Sequence, residues 1–189
     1  MKLRNFTFLA ALTLSITAQA AEPDNTMVIK LKDGDVVVAL RPDLAPKHVE
    51  QIKALVRKGF YDGVVFHRVI DGFMAQTGDG QFGDSDGGYD PNAAGTGGSD
   101  LPNIPAEFTK EPFVRGTLGM ARSQDPNSAN SQFFIMFAPG DFLNGQYTVV
   151  GTVESGMDIV DKIKKGDQSN NGSVNDPDKM ISVKIAADK

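Results

Sequence analysis

The chain has 189 residues, within the range expected for one domain, and its 24 acidic and 19 basic residues give a formal charge of −5. It contains no cysteine, which excludes disulfide bonds, thiol nucleophiles and thiolate metal sites, and it has only two histidines for imidazole-based metal chemistry. An acidic chain without a basic stripe is also a poor candidate for binding nucleic acid.

The first 20 residues have the three-part pattern of a secretory signal peptide. A basic start is followed by an apolar run from Phe6 to Ile16 and by a small-residue end at Ala20. An uncleaved membrane anchor is the alternative, but the run is shorter than the about 20 residues that span a bilayer. We therefore expect cleavage after Ala20 and a single domain over residues 21–189. The leader holds two of the 19 basic and none of the 24 acidic residues, which leaves the domain with a charge of −7.

The N-terminal part of the domain predicts a hairpin and a helix. Two alternating runs, Met27–Lys32 and Asp35–Leu40, are joined by an Asp-Gly pair, which favours a type I′ turn. The helix is expected to have Pro46 in its first turn and to end before Gly59. Its apolar face consists of Val49, Ile52, Leu55 and Val56.

The rest of the chain alternates short strand patterns with glycine-rich loops. The longest loop covers residues 78–98, and loops of that length are usually functional or mobile. A second helix is predicted over Met157–Lys165. The expected strands are Val64–Ile70, Phe73–Gln76, Thr117–Ala121, Gln132–Phe137, Thr148–Val153 and Lys179–Ile185. Many short strands with turns between them indicate a closed barrel or a sandwich, with the two helices covering its open ends.

One charged residue stands inside an apolar strand pattern. In the run FHRVI, alternation places Arg68 on the same face as Phe66 and Ile70, and His67 on the opposite face. A charge among apolar neighbours is costly unless it is paired or lies at a site open to water. The choice is therefore between a structural ion pair, with a carboxylate such as Glu107, and a functional site.

At these residues the sequence resembles the cyclophilins, a family of peptidyl-prolyl cis-trans isomerases. The matching pieces occur in family order: FHRVIDGFMAQTGD from residue 66, GTGG from 95, RGTLGMA from 115, NSQFFI from 130 and FLNGQYTVVGTV from 142. The resemblance implies a mostly β fold, a closed eight-stranded antiparallel β-barrel capped by two α-helices. It also implies an isomerase that uses no cofactor and no metal.

The resemblance implies three catalytic residues and a binding groove. Arg68 would donate a hydrogen bond to the prolyl nitrogen in the twisted transition state, Gln76 would orient Arg68, and Phe73 would line the pocket for the proline ring. The family often has Asn in place of Arg122, so we expect Arg122 to alter the preference for residues that flank the proline. The implied substrate-binding residues are Met74, Ala121, Arg122, Gln132, Phe134, Phe142, Leu143 and Tyr147.

Two positions depart from the family pattern. Much of the family has Trp where this chain has Phe142, and many members have His where Tyr147 stands. In cyclophilins that Trp donates its indole N–H to cyclosporin, and Phe has no such donor. The sequence therefore predicts an active isomerase with weak cyclosporin sensitivity. Chains with Phe and Tyr here resemble the bacterial periplasmic branch of the family.

With the leader, these features predict a periplasmic monomer. Its partners would be proline-containing exported polypeptides, with no nucleic acid and, after cleavage, no membrane. Two other functions stay open. A peptide-binding holdase would use the same groove without turnover. A calcium-dependent structural protein is suggested by residues 167–178, which roughly follow an EF-hand loop. That loop ends in Asp178 rather than Glu and has Pro177 before it, so we expect a solvated turn there.

Overall fold

Eight strands form one antiparallel sheet in the computed structural model of this chain, which describes residues 22–188. The predicted leader lies outside the described residues. The order across the sheet is β3-β4-β6-β5-β7-β2-β1-β8. In chain order the strands are β1 (Thr26–Leu31), β2 (Gly34–Leu40), β3 (Arg68–Ile70), β4 (Met74–Thr77), β5 (Thr117–Met120), β6 (Phe133–Met136), β7 (Val149–Ser155) and β8 (Ser182–Ile185).

The sheet curls into a half-barrel rather than closing through a continuous ladder. Within residues 22–188, the edge strands β3 and β8 are not paired with each other. The chain segments that precede them bridge the gap. The N–H of Phe66 donates to the carbonyl of Asp178 at 2.8 Å, and the N–H of Met180 donates to the carbonyl of Val64 at 2.9 Å. The expected eight antiparallel strands are present, with their two edges joined by irregular backbone.

Helix α1 (Pro46–Arg57) has the predicted limits, with Pro46 in its first turn and Gly59 just beyond its end at a φ of 69°. Its first turn is stabilised by a distant carboxylate. Glu107 accepts hydrogen bonds from the backbone N–H groups of Lys47 (3.2 Å) and His48 (3.1 Å) and from Nδ1 of His48 (2.6 Å). A negative charge is favourable at a helix N-terminus. The alternative in which Glu107 holds Arg68 is therefore wrong. The predicted apolar face, Val49, Ile52, Leu55 and Val56, is buried.

Helix α2 (Met157–Val160) is a single turn and does not extend to Lys165 as predicted. Beyond it, the N–H of Lys164 donates to the Asp178 carboxylate, and the N–H of Gly166 donates to the carbonyl of Val69, each at 2.9 Å. These donors are thus taken by other segments instead of by carbonyls four residues earlier. Across the described part of the chain, neither helix has the length and apolar content that a membrane span requires.

The β1–β2 hairpin is present, but its turn is not type I′. Leu31 pairs with Gly34, so the central residues are Lys32 and Asp33, and neither has the positive φ that a type I′ turn requires. The positive φ, 140°, lies at Gly34. This conformation strains any other residue, so the position needs glycine.

The buried apolar residues form two clusters, and Arg68 lies beside the second. Phe66 and Val69 belong to the main core, whereas Ile70 packs against the second cluster. The expected common face of Phe66, Arg68 and Ile70 is therefore wrong. β3 begins only at Arg68, so the alternation of a strand does not extend back to Phe66. The second cluster consists of Met74, Phe113, Phe134, Met136, Leu143 and Val149.

Candidate active site

Three members of the second apolar cluster, Met74, Phe134 and Leu143, line an open cavity of about 430 Å³. β3, β4 and β6 supply lining residues, and so does a 3₁₀ turn over Asp141–Leu143. Gln132, the eleventh predicted site residue, lines an adjoining cavity of about 240 Å³. The other ten line the first cavity: Arg68, Phe73, Met74, Gln76, Ala121, Arg122, Phe134, Phe142, Leu143 and Tyr147.

Strand register brings the central side chains into one row. Arg68 lies opposite Gln76 across β3 and β4, and Gln76 lies opposite Phe134 across β4 and β6. Directly opposed residues in an antiparallel pair present their side chains on the same face. Gly119 lies opposite Phe134 on β5, and a Cβ there would collide with the Phe134 ring, so the missing side chain makes room for that ring.

A chain of hydrogen bonds between neutral amides holds Arg68 from one side. Nη1 of Arg68 donates to Oε1 of Gln76 at 3.2 Å, and Nε2 of Gln76 donates to Oε1 of Gln132 at 3.0 Å. Nε2 of Gln132 in turn donates to the carbonyls of Gly95 (3.0 Å) and Gly97 (2.8 Å). The position of the guanidinium thus depends on the long loop of residues 78–98.

The other side of Arg68 is held by Asn171. Nε of Arg68 donates to its carbonyl and Nη2 donates to its Oδ1, each at 3.0 Å. Asn171 has a φ of 51°, in the left-handed region that Asn tolerates better than most residues. These partners are neutral, and no ion pair to Arg68 occurs within residues 22–188. Burial lowers the pKa of Arg68, but a guanidinium keeps its charge near neutral pH.

Asp79 organises the loop that the amide chain reaches. It is fully buried, and its carboxylate accepts hydrogen bonds from the N–H groups of Gln81 (3.0 Å), Phe82 (2.9 Å), Gly95 (2.7 Å) and Gly97 (2.9 Å). One carboxylate therefore ties the start of the loop to its end. Sequence reasoning missed Asp79, although an acid followed by a turn-rich run is a known signal for side-chain to backbone bonds.

Aromatic side chains form the apolar rim of the cavity. Phe142 is 65% exposed, and its ring centroid is 5.4 Å from that of Phe73. Inside, Phe134 stacks on buried Phe113 at 5.8 Å and meets Tyr147 edge-on at 5.9 Å. Sequence reasoning also missed Gln146, which lines the cavity and donates from Nε2 to the carbonyl of Phe142 at 3.1 Å.

The sequence model described as "Cyclophilin type peptidyl-prolyl cis-trans isomerase/CLD" matches residues 26–185, which include every element of the sheet and the whole cavity. The chain belongs to the cyclophilin family. It is an enzyme of the peptidyl-prolyl cis-trans isomerase class, as the sequence predicts.

Similar proteins carry the same description. A "Probable peptidyl-prolyl cis-trans isomerase" of Brucella suis is 70% identical over 172 residues, 91% of this chain and 88% of the relative. Peptidyl-prolyl cis-trans isomerase B of Escherichia coli K12 is 39% identical over 149 residues, 69% of this chain and 79% of the relative.

Solved cyclophilin structures have the same architecture. A cyclophilin from Hirschia baltica superposes with a TM-score of 0.74 at 27% identity, covering 90% of this chain and 77% of the other. A cyclophilin-type isomerase from Cryptosporidium parvum, crystallised in the presence of the dipeptide Ala-Pro, has a TM-score of 0.71 at 27% identity. That match covers 85% of this chain and 98% of the other.

Two remaining sequence features lie outside the cyclophilin cavity. In residues 167–178, Asp167 accepts hydrogen bonds from its own turn, at the N–H and hydroxyl of Ser169. No group of three or more His, Asp or Glu placed to hold a metal ion occurs among residues 22–188. His67 is buried, and neither of its ring nitrogens has a hydrogen-bond partner in the described part of the chain.

The burial of His67 predicts acid sensitivity of the cyclophilin fold. Desolvation lowers the pKa of His67 from 6.5 to about 4, although Asp79 acts in the opposite direction. The pKa of His67 is lower in the folded state than in the unfolded state, so protonation of its ring favours unfolding. The free energy of unfolding is therefore at its full value above about pH 6.5 and decreases as the pH falls toward about 4. The loss should reach about 3 kcal/mol.

Urea unfolding at several pH values measures this loss, with the His67→Gln variant as the comparison. The wild type should lose about 3 kcal/mol more than His67→Gln between pH 7 and pH 4. Carboxylates titrate in both proteins and cancel in the difference. Equal pH slopes for the two proteins would show that His67 does not carry this sensitivity.

Proposed function

We propose that this cyclophilin accelerates X-Pro isomerisation in polypeptides that fold after export, and that Arg68 supplies the catalytic hydrogen bond. The observation that carries the proposal is that Arg68 is held at the cavity by neutral hydrogen-bond partners. Its guanidinium lines the 430 Å³ cavity, is fixed by Gln76 and Asn171, and has no carboxylate partner among residues 22–188.

The chemistry of the amide explains why such a group suffices. Rotation about an X-Pro bond breaks amide resonance, with a barrier of about 18–20 kcal/mol. In the twisted state the prolyl nitrogen regains its lone pair and becomes a better hydrogen-bond acceptor. A donor aimed at that nitrogen binds the twisted form more tightly than either planar form, which is the condition for catalysis. Neither a nucleophile nor a cofactor enters this step.

The cavity provides the binding half of the mechanism. The proline ring would lie against Phe73, Phe134 and Leu143, within reach of Arg68, while the backbone of Ala121 and Arg122 runs along the substrate. Burying the proline ring against these apolar side chains holds the peptide without favouring either planar isomer. The Ala-Pro dipeptide used with the Cryptosporidium relative supports a proline-containing ligand for the same fold.

The tethering of Arg68 makes it an efficient donor. The amide chain through Gln76 and Gln132 and the two bonds to Asn171 fix the guanidinium before substrate arrives. A preorganised donor does not have to reorganise as the transition state forms, and removal of one such donor typically costs about 3–4 kcal/mol of barrier. A barrier change of that size corresponds to a rate change of about 100-fold to 1000-fold.

Export is the second part of the proposal. The leader pattern of residues 1–20 and the Phe and Tyr at positions 142 and 147 support a periplasmic location.

The mature protein isolated from cell envelopes should begin at Ala21, as measured by intact mass. A full-length mass with Met1 retained would contradict cleavage after Ala20.

The role of Arg68 is tested by a proline-isomerisation assay on Arg68→Ala. We expect kcat/KM to fall about 100-fold to 1000-fold, because the transition state loses its donor. The matched control is Arg57→Ala, which removes an exposed arginine paired with Asp24 and Asp188. That variant should keep wild-type activity.

Full activity in Arg68→Ala would contradict the mechanism. A holdase would give a different pattern: neither the wild type nor Arg68→Ala would turn over peptide, and both would suppress aggregation of an unfolded client. The exposed Phe142 at the rim is the feature that would serve such a role.

Cyclosporin sensitivity tests the assignment of Phe142. Its ring offers no N–H donor, so the wild type should be inhibited only weakly. The variant Phe142→Trp restores an indole N–H and should bind cyclosporin about tenfold more tightly, the value of one net hydrogen bond. Phe142→Leu is the control and should show no such gain. Inhibition of the wild type at the low concentrations that stop Trp-bearing cyclophilins would refute the assignment.

A further inference from the structure

The arginines of this acidic chain fall into two groups. Within residues 22–188 there are five, and Arg41, Arg57 and Arg115 form ion pairs with aspartates at 2.7–2.9 Å. In the same part of the chain, Arg68 and Arg122 form none, and both line the 430 Å³ cavity. The unpaired guanidinium charges are therefore concentrated in the groove.

Among the described residues, no carboxylate lines the cavities around these two arginines. Three cavities adjoin at Gln76, of about 430, 240 and 440 Å³. Arg122 lines the first two, and Arg68 lines the first and third. Among the described residues, none that lines these three cavities is Asp or Glu. A peptide in the groove thus meets two cations and no lining carboxylate.

Arg122 is held in place by neutral groups. Nη1 donates to the carbonyls of Ser123 (2.8 Å) and Gln124 (3.4 Å), and Nη2 donates to the carbonyl of Gln146 at 2.9 Å. Its Cζ lies 4.4 Å from the centroid of the Tyr147 ring, in a cation–π contact. Nε is buried without a hydrogen-bond partner in the described residues. These contacts fix the side chain but leave its charge unpaired, and a partly desolvated charge without a counter-charge is unfavourable.

We infer that this groove prefers proline segments that carry an acidic residue near the proline. Arg122, which lines both the 430 and the 240 Å³ cavity, recognises the carboxylate of that residue at the boundary between them. The inference rests on the proposed function, because it names the substrate class of the same groove. A bound carboxylate would supply the counter-charge that Arg122 lacks. The cation–π contact and the three carbonyl bonds keep Arg122 oriented, so little side-chain ordering is needed when the carboxylate binds.

The experiment compares peptide pairs that differ only by Glu or Gln at one position within three residues of the proline. Both kcat/KM for isomerisation and the dissociation constant are measured for each peptide. The wild type should favour the best-placed Glu peptide over its Gln partner about threefold to fivefold, the range of a partly exposed ion pair. Added salt should reduce this ratio.

Two variants separate recognition from structure. In Arg122→Gln the Glu-to-Gln ratio should fall to about one, whereas Arg122→Lys, which keeps the charge but not the planar fork, should retain part of it. The control Arg57→Gln should keep the full ratio. A ratio of one in the wild type at every position, or an equal loss for both peptides in Arg122→Gln, would overturn the inference.

The two measured quantities also separate this inference from the proposed function. If the wild type binds Glu peptides preferentially but isomerises none, the proposed function fails and the acidic preference stands. If it isomerises both peptides equally and binds them equally, the acidic preference fails and the isomerase mechanism stands.

Discussion

The hydrogen bonds that hold Arg68 without a counter-ion are the constraint on which the rest of the site depends. A carboxylate partner would fix the guanidinium equally well, but it would also neutralise the charge that a weak acceptor such as a prolyl nitrogen needs. Gln76 and Asn171 avoid this conflict because amide oxygens accept hydrogen bonds without carrying a full charge. The sheet contributes the opposition of Arg68 and Gln76 across β3 and β4.

The same requirement accounts for the position of Asp79, a buried carboxylate that organises the neighbouring loop but does not contact Arg68. Asp79 binds the backbone of residues 81–97 and so positions the carbonyls that receive Gln132. Four backbone N–H groups satisfy its charge inside the protein. The negative charge thus organises the loop through backbone bonds, while Arg68 receives only neutral contacts. The glycines of the loop permit the close approach, since a Cβ at Gly97 would stand 2.5 Å from Oδ1 of Asp79.

Much of the fold and the site could be predicted from local pattern. Alternation and turn residues located the strands and α1, and the motif resemblance located the cavity residues, because both signals lie within short segments. Errors arose where a pattern was extended through irregular backbone. Phe66 belongs to the main core and not to the face of Arg68, because β3 starts only at Arg68. Helix α2 is shorter than predicted, because the N–H of Lys164 donates to Asp178. The contact between Arg68 and Asn171 joins residues 103 positions apart, and no local signal indicates it.

The central claim is that Arg68 stabilises the twisted amide rather than the bound peptide. The direct test measures, on wild type and Arg68→Ala, the dissociation constant of a proline peptide and the rate of cis-trans exchange of the same peptide by exchange NMR at saturation. We predict affinities within about twofold of each other and an exchange rate at least about 100-fold lower in the variant, the pattern of an interaction made only in the transition state. A loss of affinity as large as the loss of rate would contradict the claim, because Arg68 would then serve binding alone.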